Sequence, residues 1–239
     1  MYEPKLYLGD CLDLLPEVPD NSYDFICADM PYGTTKCKWD TCIPLEPLWD
    51  QLTRIAKDNA AIVLFAQTPF DKVLGCSNLA MLRYEWIWEK PNATGFFNAK
   101  KMPMKAHENI LVFYKKLPTY NYIKTVGHDR KTATREGANS EVYGKAVQKT
   151  SYDSTERYPR SVQVFSSDKQ RSKLHDTQKP LALIDYLVKT YSNEGDKVLD
   201  FCMGSGTLGV STKKLNRRFT GMEIDQDIFE SAKQRILNL

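Results

Sequence analysis

The chain has 239 residues, with 33 Lys and Arg against 30 Asp and Glu, so its formal net charge is +3. This length and a hydrophobic share of 42% allow a buried core and exclude a disordered tail, a collagen and a disulfide-rich miniprotein. No apolar run approaches the roughly 20 residues that cross a bilayer, and the first residues lack the features of a signal peptide, so we expect a cytoplasmic protein.

Short apolar segments rich in β-branched and aromatic residues alternate with helical patterns. We predict helices over Leu45 to Lys57 and over Pro180 to Tyr191, where apolar residues recur on one face. The alternation predicts an open, mostly parallel α/β sheet. The predicted strands are Lys5 to Gly9, Tyr23 to Ala28, Ala60 to Ala66, Tyr84 to Glu89, Asn109 to Tyr114, Lys197 to Cys202 and Phe219 to Ile224.

The small net charge hides an uneven distribution. Residues 100 to 179 hold 17 Lys and Arg against 8 Asp and Glu, whereas the rest of the chain holds 16 against 22. Between about residues 115 and 174 the alternating pattern gives way to Gly, Ser, Thr, Tyr and basic residues, which is typical of a functional insertion. Tyrosines among cations suit nucleic acid, although a solvated surface loop explains the charge equally well.

Cysteine and histidine spacing bears on metals and disulfides. The six cysteines form no Cys-x-x-Cys pair, which is typical of reduced thiols rather than of a disulfide framework. The three histidines are dispersed along the chain, so the sequence predicts no metal site.

A glycine-rich turn follows the predicted strand that begins at Lys197. Gly204, Gly206 and Gly209 match the pattern G-x-G-x-x-G between a strand and a helix, where glycines let a ligand approach the backbone. The next strand brings Glu223 to a position suited to accept hydrogen bonds from two ribose hydroxyls. These features predict a nucleoside cofactor, whose identity the turn alone leaves open.

The segment after Gly209 is too short to complete a dinucleotide-binding domain. Its 30 residues suffice for one helix, the Glu223 strand and a last helix. We therefore predict a circular permutation, in which the N-terminal strand ending near Asp10 fills the edge of the sheet beside the Glu223 strand.

The tetrapeptide Asp29-Met30-Pro31-Tyr32 follows a predicted strand. Open α/β sheets bind ligands at the carboxyl ends of their strands, so an acid, a proline and an aromatic ring at that point indicate a site. Taken alone, the tetrapeptide would also suit a Pro-Tyr turn capped by the aspartate.

Three motifs occur in one order along the chain. They are Asp29-Met30-Pro31-Tyr32, His175-x-Thr177-x-Lys179-Pro180 and Asp200-x-x-x-Gly204-x-Gly206-Thr207. They resemble the catalytic, substrate-linker and cofactor motifs of the amino-methyltransferases of DNA adenine, and their order resembles the β group of that family. The resemblance implies site-specific transfer of a methyl group from S-adenosylmethionine to the N6 amine of an adenine flipped out of double-stranded DNA.

The resemblance also implies a fold and a domain organisation. The family has a Rossmann-like methyltransferase domain whose mixed sheet has seven strands, one of them antiparallel. Here residues 1–114 would form the catalytic half, residues 115–174 an inserted target-recognition region and residues 175–239 the cofactor-binding half. The implied partners are double-stranded DNA, a second copy of the chain and a cognate restriction endonuclease.

Roles of individual residues follow from the same resemblance. Asp29 and the carbonyl of Met30 would accept the N–H groups of the target amine, and Tyr32 would stack on the base. Met30 departs from the family, which usually has proline there. Thr177 and Lys179 would hold the cofactor carboxylate. The residues expected to contact the cofactor are Asp10, Cys11, Thr177, Lys179, Asp200, Phe201, Gly204, Ser205, Gly206, Thr207 and Glu223.

Other functions stay open on the sequence. The same scaffold serves cytosine N4 methylation, where serine typically replaces the aspartate of the tetrapeptide, and adenine methylation in RNA. The glycine pattern alone also suits a nicotinamide-dependent oxidoreductase, and the basic segment suits a DNA-binding module without activity. Two segments, Trp88-x-Lys90-Pro91-Asn92 and Lys100-Lys101-x-Pro103, resemble the family's loop around the flipped base, although Trp88 fits a buried core equally well. His107 and Glu108 fit better as the first residues of a strand.

Overall fold

The structure is a computed structural model that describes residues 2–33, 41–135, 150–166 and 178–238. The chain divides into two compact units. The larger unit combines Met1–Asn121 with Ser161–Leu239, and the smaller unit is Tyr122–Arg160. The predicted site residue Thr177 and the motif residue His175 lie outside the described residues.

An eight-stranded mixed sheet forms the centre of the larger unit. The strands of both units are β1 (Lys5–Leu8), β2 (Tyr23–Ala28), β3 (Ala56–Ala66), β4 (Leu82–Thr94), β5 (Lys105–Phe113), β6 (Lys131–Arg135), β7 (Thr150–Ser154), β8 (Val162–Val164), β9 (Lys197–Asp200) and β10 (Arg218–Glu223). The order in the large sheet is β1-β10-β9-β2-β3-β5-β4-β8. Strand β5 runs antiparallel to both of its neighbours, and the other neighbouring pairs are parallel.

The mixed α/β sheet predicted from the sequence is confirmed, and each of the seven predicted strands is present. The eighth strand, β8, pairs in parallel with β4 through Ile87 and Val162. Its three residues lie in the basic segment, where so short an alternation cannot be told from a loop. The predicted permutation is also confirmed, because β1 lies beside β10 in parallel, with Leu8 opposite Glu223.

Helices cover both faces of the sheet. Alternate residues of β2 point to opposite layers, as expected for a buried parallel strand. Phe25 packs in the same cluster as Leu187, whereas Ile26 shares the other cluster with Leu52. No helix in the described ranges is long and apolar enough to cross a membrane. The helices are α1 (Cys11–Leu14), α2 (Leu45–Ile55), α3 (Phe70–Ser77), α4 (Leu181–Tyr191), α5 (Thr207–Lys214) and α6 (Gln226–Leu237).

The smaller unit contains an antiparallel pair of strands, β6 and β7. Arg130, directly before β6, forms an ion pair of 2.7 Å with Asp153 of β7. The rings of Tyr122 and Tyr158 lie 5.1 Å apart, and the ammonium group of Lys124 lies 5.3 Å from the centre of the Tyr158 ring. The unit therefore combines exposed cations with clustered aromatic rings.

Candidate active site

A cavity of about 1110 Å³ opens at the carboxyl ends of β1, β10, β9 and β2, which are neighbours in the sheet. This is the edge where open α/β sheets bind their ligands. Most of the site residues predicted from the sequence line this one cavity: Asp10, Cys11, Asp29, Met30, Pro31, Tyr32, Lys179, Asp200, Phe201, Gly204, Ser205, Thr207 and Glu223.

Each of the three glycines of the turn is required for a different structural reason. Gly204 has φ +48°, and a Cβ added there would meet nothing within 4 Å, so its backbone borders open space in the cavity. Gly206 has φ +73° and precedes α5, but it is not among the residues that line the cavity. A Cβ on Gly209 would lie 2.5 Å from Ile236 Cδ1 and 2.7 Å from Phe219 Cε1. The third glycine therefore lets α5 pack closely against α6 and β10.

Arg235 of α6 forms hydrogen bonds with the glycine turn. Its guanidinium group donates to the carbonyl oxygen of Ser205 at 2.8 Å and to the hydroxyl of Thr207 at 3.0 Å. Arg235 was not predicted from the sequence, because an arginine on an amphipathic helix has the same pattern as a solvent-exposed cation. The interaction fixes two of the predicted cofactor residues in place.

The Glu223 carboxylate is oriented by backbone groups. One oxygen accepts the N–H of Gly204 at 2.9 Å, and the other accepts the N–H groups of Ile224 and Asp225 at 3.0 Å each. A carboxylate oxygen has about two lone pairs, so three of the four acceptor positions are occupied, and one position, on the oxygen that accepts Gly204, can take a hydroxyl donor from a ligand. The arrangement suits the predicted binding of a ribose.

Asp10 combines a structural contact with a place in the cavity. Its carboxylate accepts the N–H of Leu12 at 2.9 Å and so caps the first turn of α1. The cap explains why an aspartate fits the end of β1, and it holds the side chain at the edge of the cavity.

On the opposite side of the cavity, Asp29 is held through both carboxylate oxygens. The hydroxyl of Tyr32 donates to Oδ1 at 2.5 Å, and the ammonium group of Lys179 donates to Oδ2 at 2.5 Å. Charge-assisted bonds of this length are among the stronger hydrogen bonds in proteins. The first and last residues of the predicted catalytic tetrapeptide are thus joined directly.

Lys179 and Glu108 extend this contact into a network of four charges. Lys179 lies 3.2 Å from Glu108 Oε2, and Lys90 forms an ion pair with the other oxygen of Glu108. Burial alone would lower the pKa of Lys179, but the carboxylates of Asp29 and Glu108 outweigh burial and raise it. Burial would raise the pKa of Glu108, but Lys179 and Lys90 lower it. Lys179 and Glu108 therefore each favour the charged form of the other.

Two residues of this network had other predicted roles. The resemblance implied that Lys179 holds the cofactor carboxylate. In the structure its ammonium group pairs with two carboxylates of the protein, and the contact to the cofactor stays a prediction. Glu108 does lie near the start of a strand, as predicted, yet its carboxylate also borders the cavity. The signal that could have identified it is an acid in the apolar strand β5, directly opposite Trp88.

The remaining residues of the tetrapeptide are fixed by packing. Met30 is buried in the hydrophobic core, so its side chain anchors the turn at the position where the family usually has proline. The ring of Tyr32 stacks on Phe70 with 5.5 Å between centroids. Trp88 is buried and donates its indole N–H to the carbonyl oxygen of Phe165 at 2.9 Å, while Lys90 lies over its ring.

Asp200 is a buried acid between the two sides of the cavity. Burial raises its pKa well above the ordinary value, and the negative charges of Asp29 and Glu223 raise it further. The N–H of Cys202 donates to its carboxylate at 3.1 Å and opposes this shift. Asp200 therefore favours its neutral form far more than an exposed aspartate does.

The sheet order, the glycine turn and the cavity define a Rossmann-like methyltransferase fold. The crystal structure of the M1.HpyAVI–SAM complex matches 98% of this chain and 100% of that chain, with a TM-score of 0.64 and 22% identity. The PvuII DNA methyltransferase, which is cytosine-N4-specific, matches 96% of this chain and 85% of that chain, with a TM-score of 0.70 and 14% identity. At these identities the two structures establish the fold.

Residues 23–234 match the family described as DNA methylase, so the chain belongs to the DNA methylase family and is a DNA methyltransferase. The Type II methyltransferase M1.MboII of Moraxella bovis is 29% identical over 249 residues, which cover 95% of this chain and 94% of that protein. The Type II methyltransferase M.BglII of Bacillus subtilis is 29% identical over 253 residues, covering 96% of this chain and 68% of that protein. The family resemblance inferred from the three motifs is thereby confirmed.

Proposed function

We propose that the protein transfers a methyl group from S-adenosylmethionine to the N6 amine of adenine at a specific site in double-stranded DNA. The observation that carries this proposal is that Asp29 borders the same cavity as the glycine turn and Glu223. The cavity volume of about 1110 Å³ exceeds the roughly 300–1,000 Å³ that is common for one ligand. It offers room for a cofactor and a flipped base together.

The residues of the cofactor side fit S-adenosylmethionine. Gly204 leaves the backbone open to a ligand, and the Glu223 carboxylate is already oriented to accept a ribose hydroxyl. Asp10, Phe201 and Ser205 would complete the binding surface. When bound, the cofactor supplies an electrophilic methyl group on a sulfonium centre.

The catalytic side would prepare the amine for attack. An exocyclic amine is a poor nucleophile, because its lone pair is delocalised into the ring. The carboxylate of Asp29 and the carbonyl of Met30 would each accept one N–H, which directs the lone pair toward the methyl carbon. Lys179 and Tyr32 hold the carboxylate of Asp29 in advance, and its remaining lone pairs are sufficient to accept the amine.

A base inside a duplex cannot reach this cavity, so the target has to leave the stack at a cost of a few kcal/mol. Stacking on an aromatic ring such as Tyr32 would return roughly 1–3 kcal/mol. The ring is suited to this because Phe70 stacks on it and the Tyr32 hydroxyl is bonded to Asp29, so little side-chain freedom remains to be lost.

Methyl transfer to random-sequence DNA tests this proposal. The purified protein is incubated with labelled S-adenosylmethionine, the modified nucleoside is identified by mass spectrometry, and the site is read by modification-aware sequencing. We expect N6-methyladenine at one short sequence. N4-methylcytosine would favour the alternative represented by the PvuII relative, and labelling of RNA but not of DNA would favour the RNA alternative. Stabilisation by NAD instead of S-adenosylmethionine would indicate an oxidoreductase, and binding without transfer would indicate a DNA-binding module.

We also propose that the inserted basic segment, including the smaller unit, binds the DNA target. Lys131 on β6 is exposed, and Arg130 directly precedes it in the sequence. Each lost phosphate contact should reduce the slope of log affinity against log salt by about 0.9. Lys131→Gln should lower this slope, whereas Lys214→Gln on α5 should leave it unchanged. If replacing Lys and Arg residues across the segment by neutral residues left the slope unchanged, the segment would be a solvated surface loop that does not bind DNA.

The Type II names of the relatives support a role beside a restriction endonuclease. If this role applies, DNA methylated by the protein should resist an endonuclease that cuts the same site. Sedimentation of the full chain with and without DNA tests the expected homodimer. The proposals of a partner endonuclease and of a homodimer are independent of the proposed methyl transfer. Either can be wrong while the proposed methyl transfer is right.

A further inference from the structure

An apolar loop extends from the rim of the cavity. Residues 90–94 at the end of β4 line the cavity, and residues 95–104 connect β4 to β5. Within this loop Phe97 is 99% exposed and Phe96 is 76% exposed, and Met102 is also largely exposed. Single exposed apolar residues are common, but a cluster of large ones marks an interaction site.

The tip of the loop is held by its own backbone. Gly95 has φ +90° and begins a single helical turn over Phe96–Asn98. The N–H of Ala99 donates to the carbonyl of Phe96 at 3.0 Å, and the N–H of Lys101 donates to that of Asn98 at 2.8 Å. A preformed tip presents its aromatic rings without the full entropic cost of ordering a flexible loop.

The charge around the tip indicates the chemistry of its partner. From Lys90 to Lys105 the sequence contains four lysines and no acidic residue. Lys100 and Lys101 are exposed beside the two phenylalanines. Aromatic side chains among cations match a polyanion whose interior consists of stacked rings, and the loop continues directly into the wall of the cavity.

We propose that Phe97 inserts into the DNA duplex beside the target and occupies the stacking space that the base leaves when it enters the cavity. Apolar side chains can separate neighbouring base steps, and the inserted ring offsets part of the stacking lost by the flipped base. Lys100 and Lys101 would contact the adjacent phosphates. This inference rests on the proposed function, because it requires a base that leaves the duplex.

The test compares Phe97→Ala with wild type on two DNA substrates that contain the identified site. In one the target base is paired, and in the other it lies opposite an abasic position and is already unpaired, so that less free energy is needed to flip it. Phe97→Ala should lower kcat/KM on the paired substrate about tenfold or more, and much less on the abasic one. Phe97→Leu should retain more activity than Phe97→Ala. Leu79→Ala, at another exposed apolar position, should change neither rate.

Fluorescence of 2-aminopurine at the target gives a second measurement. Phe97→Ala should reduce the increase that accompanies base flipping, while affinity for S-adenosylmethionine stays unchanged. Equal rates of wild type and Phe97→Ala on the paired substrate would overturn the inference, as would equal losses on both substrates. Sedimentation of wild type and Phe97→Ala without DNA gives a further control. A dimer in wild type that is lost in Phe97→Ala would also overturn the inference, because the tip would then bind a second copy of the chain. Absence of DNA methylation by wild type would overturn the proposed function itself.

Discussion

The two sides of the active-site cavity are held by different kinds of interaction. On the cofactor side, backbone N–H groups orient Glu223 and close glycine packing positions the turn. On the catalytic side, the side chains of Tyr32 and Lys179 orient Asp29. The backbone contacts follow from the local fold, whereas the contacts to Asp29 depend on two particular side chains, one of which lies 150 positions away in the sequence. The cofactor side should therefore respond to changes of shape, and the catalytic side to changes of charge.

We expect the largest effect from Asp29→Ala, which should impair catalysis but not cofactor binding. Asp29→Ala removes an acceptor for the amine and should lower kcat by about 100- to 1000-fold or more. Affinity for S-adenosylmethionine should stay nearly intact, because the backbone contacts to Glu223 do not involve Asp29. A labelled-methyl assay measures the first quantity and calorimetry measures the second.

Asp20→Ala is the matched control for this substitution. Asp20 is an exposed aspartate that pairs with Arg54 on the surface. It should change neither kcat nor cofactor affinity. If Asp29→Ala kept full methylation, the proposed mechanism would be wrong, and if it weakened the cofactor as much as catalysis, the two sides would not be separable.

Glycine substitutions test the cofactor side, where we expect the next largest effect. In Gly209→Ala the new Cβ would overlap Ile236 and Phe219, so we expect a loss of roughly 1–3 kcal/mol in unfolding free energy. Gly204→Ala has room for the Cβ, but it must adopt a positive φ at the open face of the turn. It should cost about 1 kcal/mol of stability and should weaken cofactor binding more than Gly209→Ala does.

Urea unfolding and calorimetry of both glycine variants distinguish these outcomes. A stability loss in Gly204→Ala as large as that in Gly209→Ala would mean that the whole turn is limited by packing. Equal loss of cofactor affinity would mean that the two glycines do not differ in their approach to the ligand.

The same division explains what could be predicted from the sequence. The glycine turn, Glu223 and the permuted position of β1 were predicted, because local motifs and the length of the last segment determine them. The pairing of Lys179 with Asp29 joins residues 150 positions apart, and no periodicity reports such a contact. Glu108 was given a minor role for the same reason, since its partners become neighbours only in the folded sheet.

Glu108→Gln tests the catalytic side more finely. Gln keeps the shape but removes one of the two carboxylates that hold Lys179, so we expect a fall of about tenfold in kcat with an unchanged KM for S-adenosylmethionine. Glu89→Gln, at an exposed position of the adjacent strand β4, should change neither value. A change in KM alone would show that the network serves the cofactor rather than Asp29.

The ion pairs of Glu108 also predict how the unfolding free energy depends on pH. Lys179 and Lys90 lower the pKa of Glu108 against the opposing effect of burial. The charge of Glu108 therefore stabilises the fold above its ordinary value of 4.5, and the contribution is lost as pH falls through the lower folded pKa. The difference in unfolding free energy between wild type and Glu108→Gln should shrink in that acidic range. A difference that stays constant with pH would contradict the ion-pair explanation.

Asp200→Asn gives the smallest expected effect and tests the boundary between the two sides. Burial, followed by the charges of Asp29 and Glu223, raises the pKa of Asp200, so the wild type loses stability as pH rises above the ordinary value of 3.8 toward the folded pKa. Asparagine does not ionise and can still accept the N–H of Cys202. Urea unfolding at a series of pH values should therefore show the variant gaining on wild type as pH rises. This gain should be smaller when both proteins also carry Asp29→Ala, because one of the repelling charges is absent. An equal gain would show that the charge of Asp29 does not contribute to the raised pKa of Asp200, and that the catalytic side is electrostatically independent of this residue.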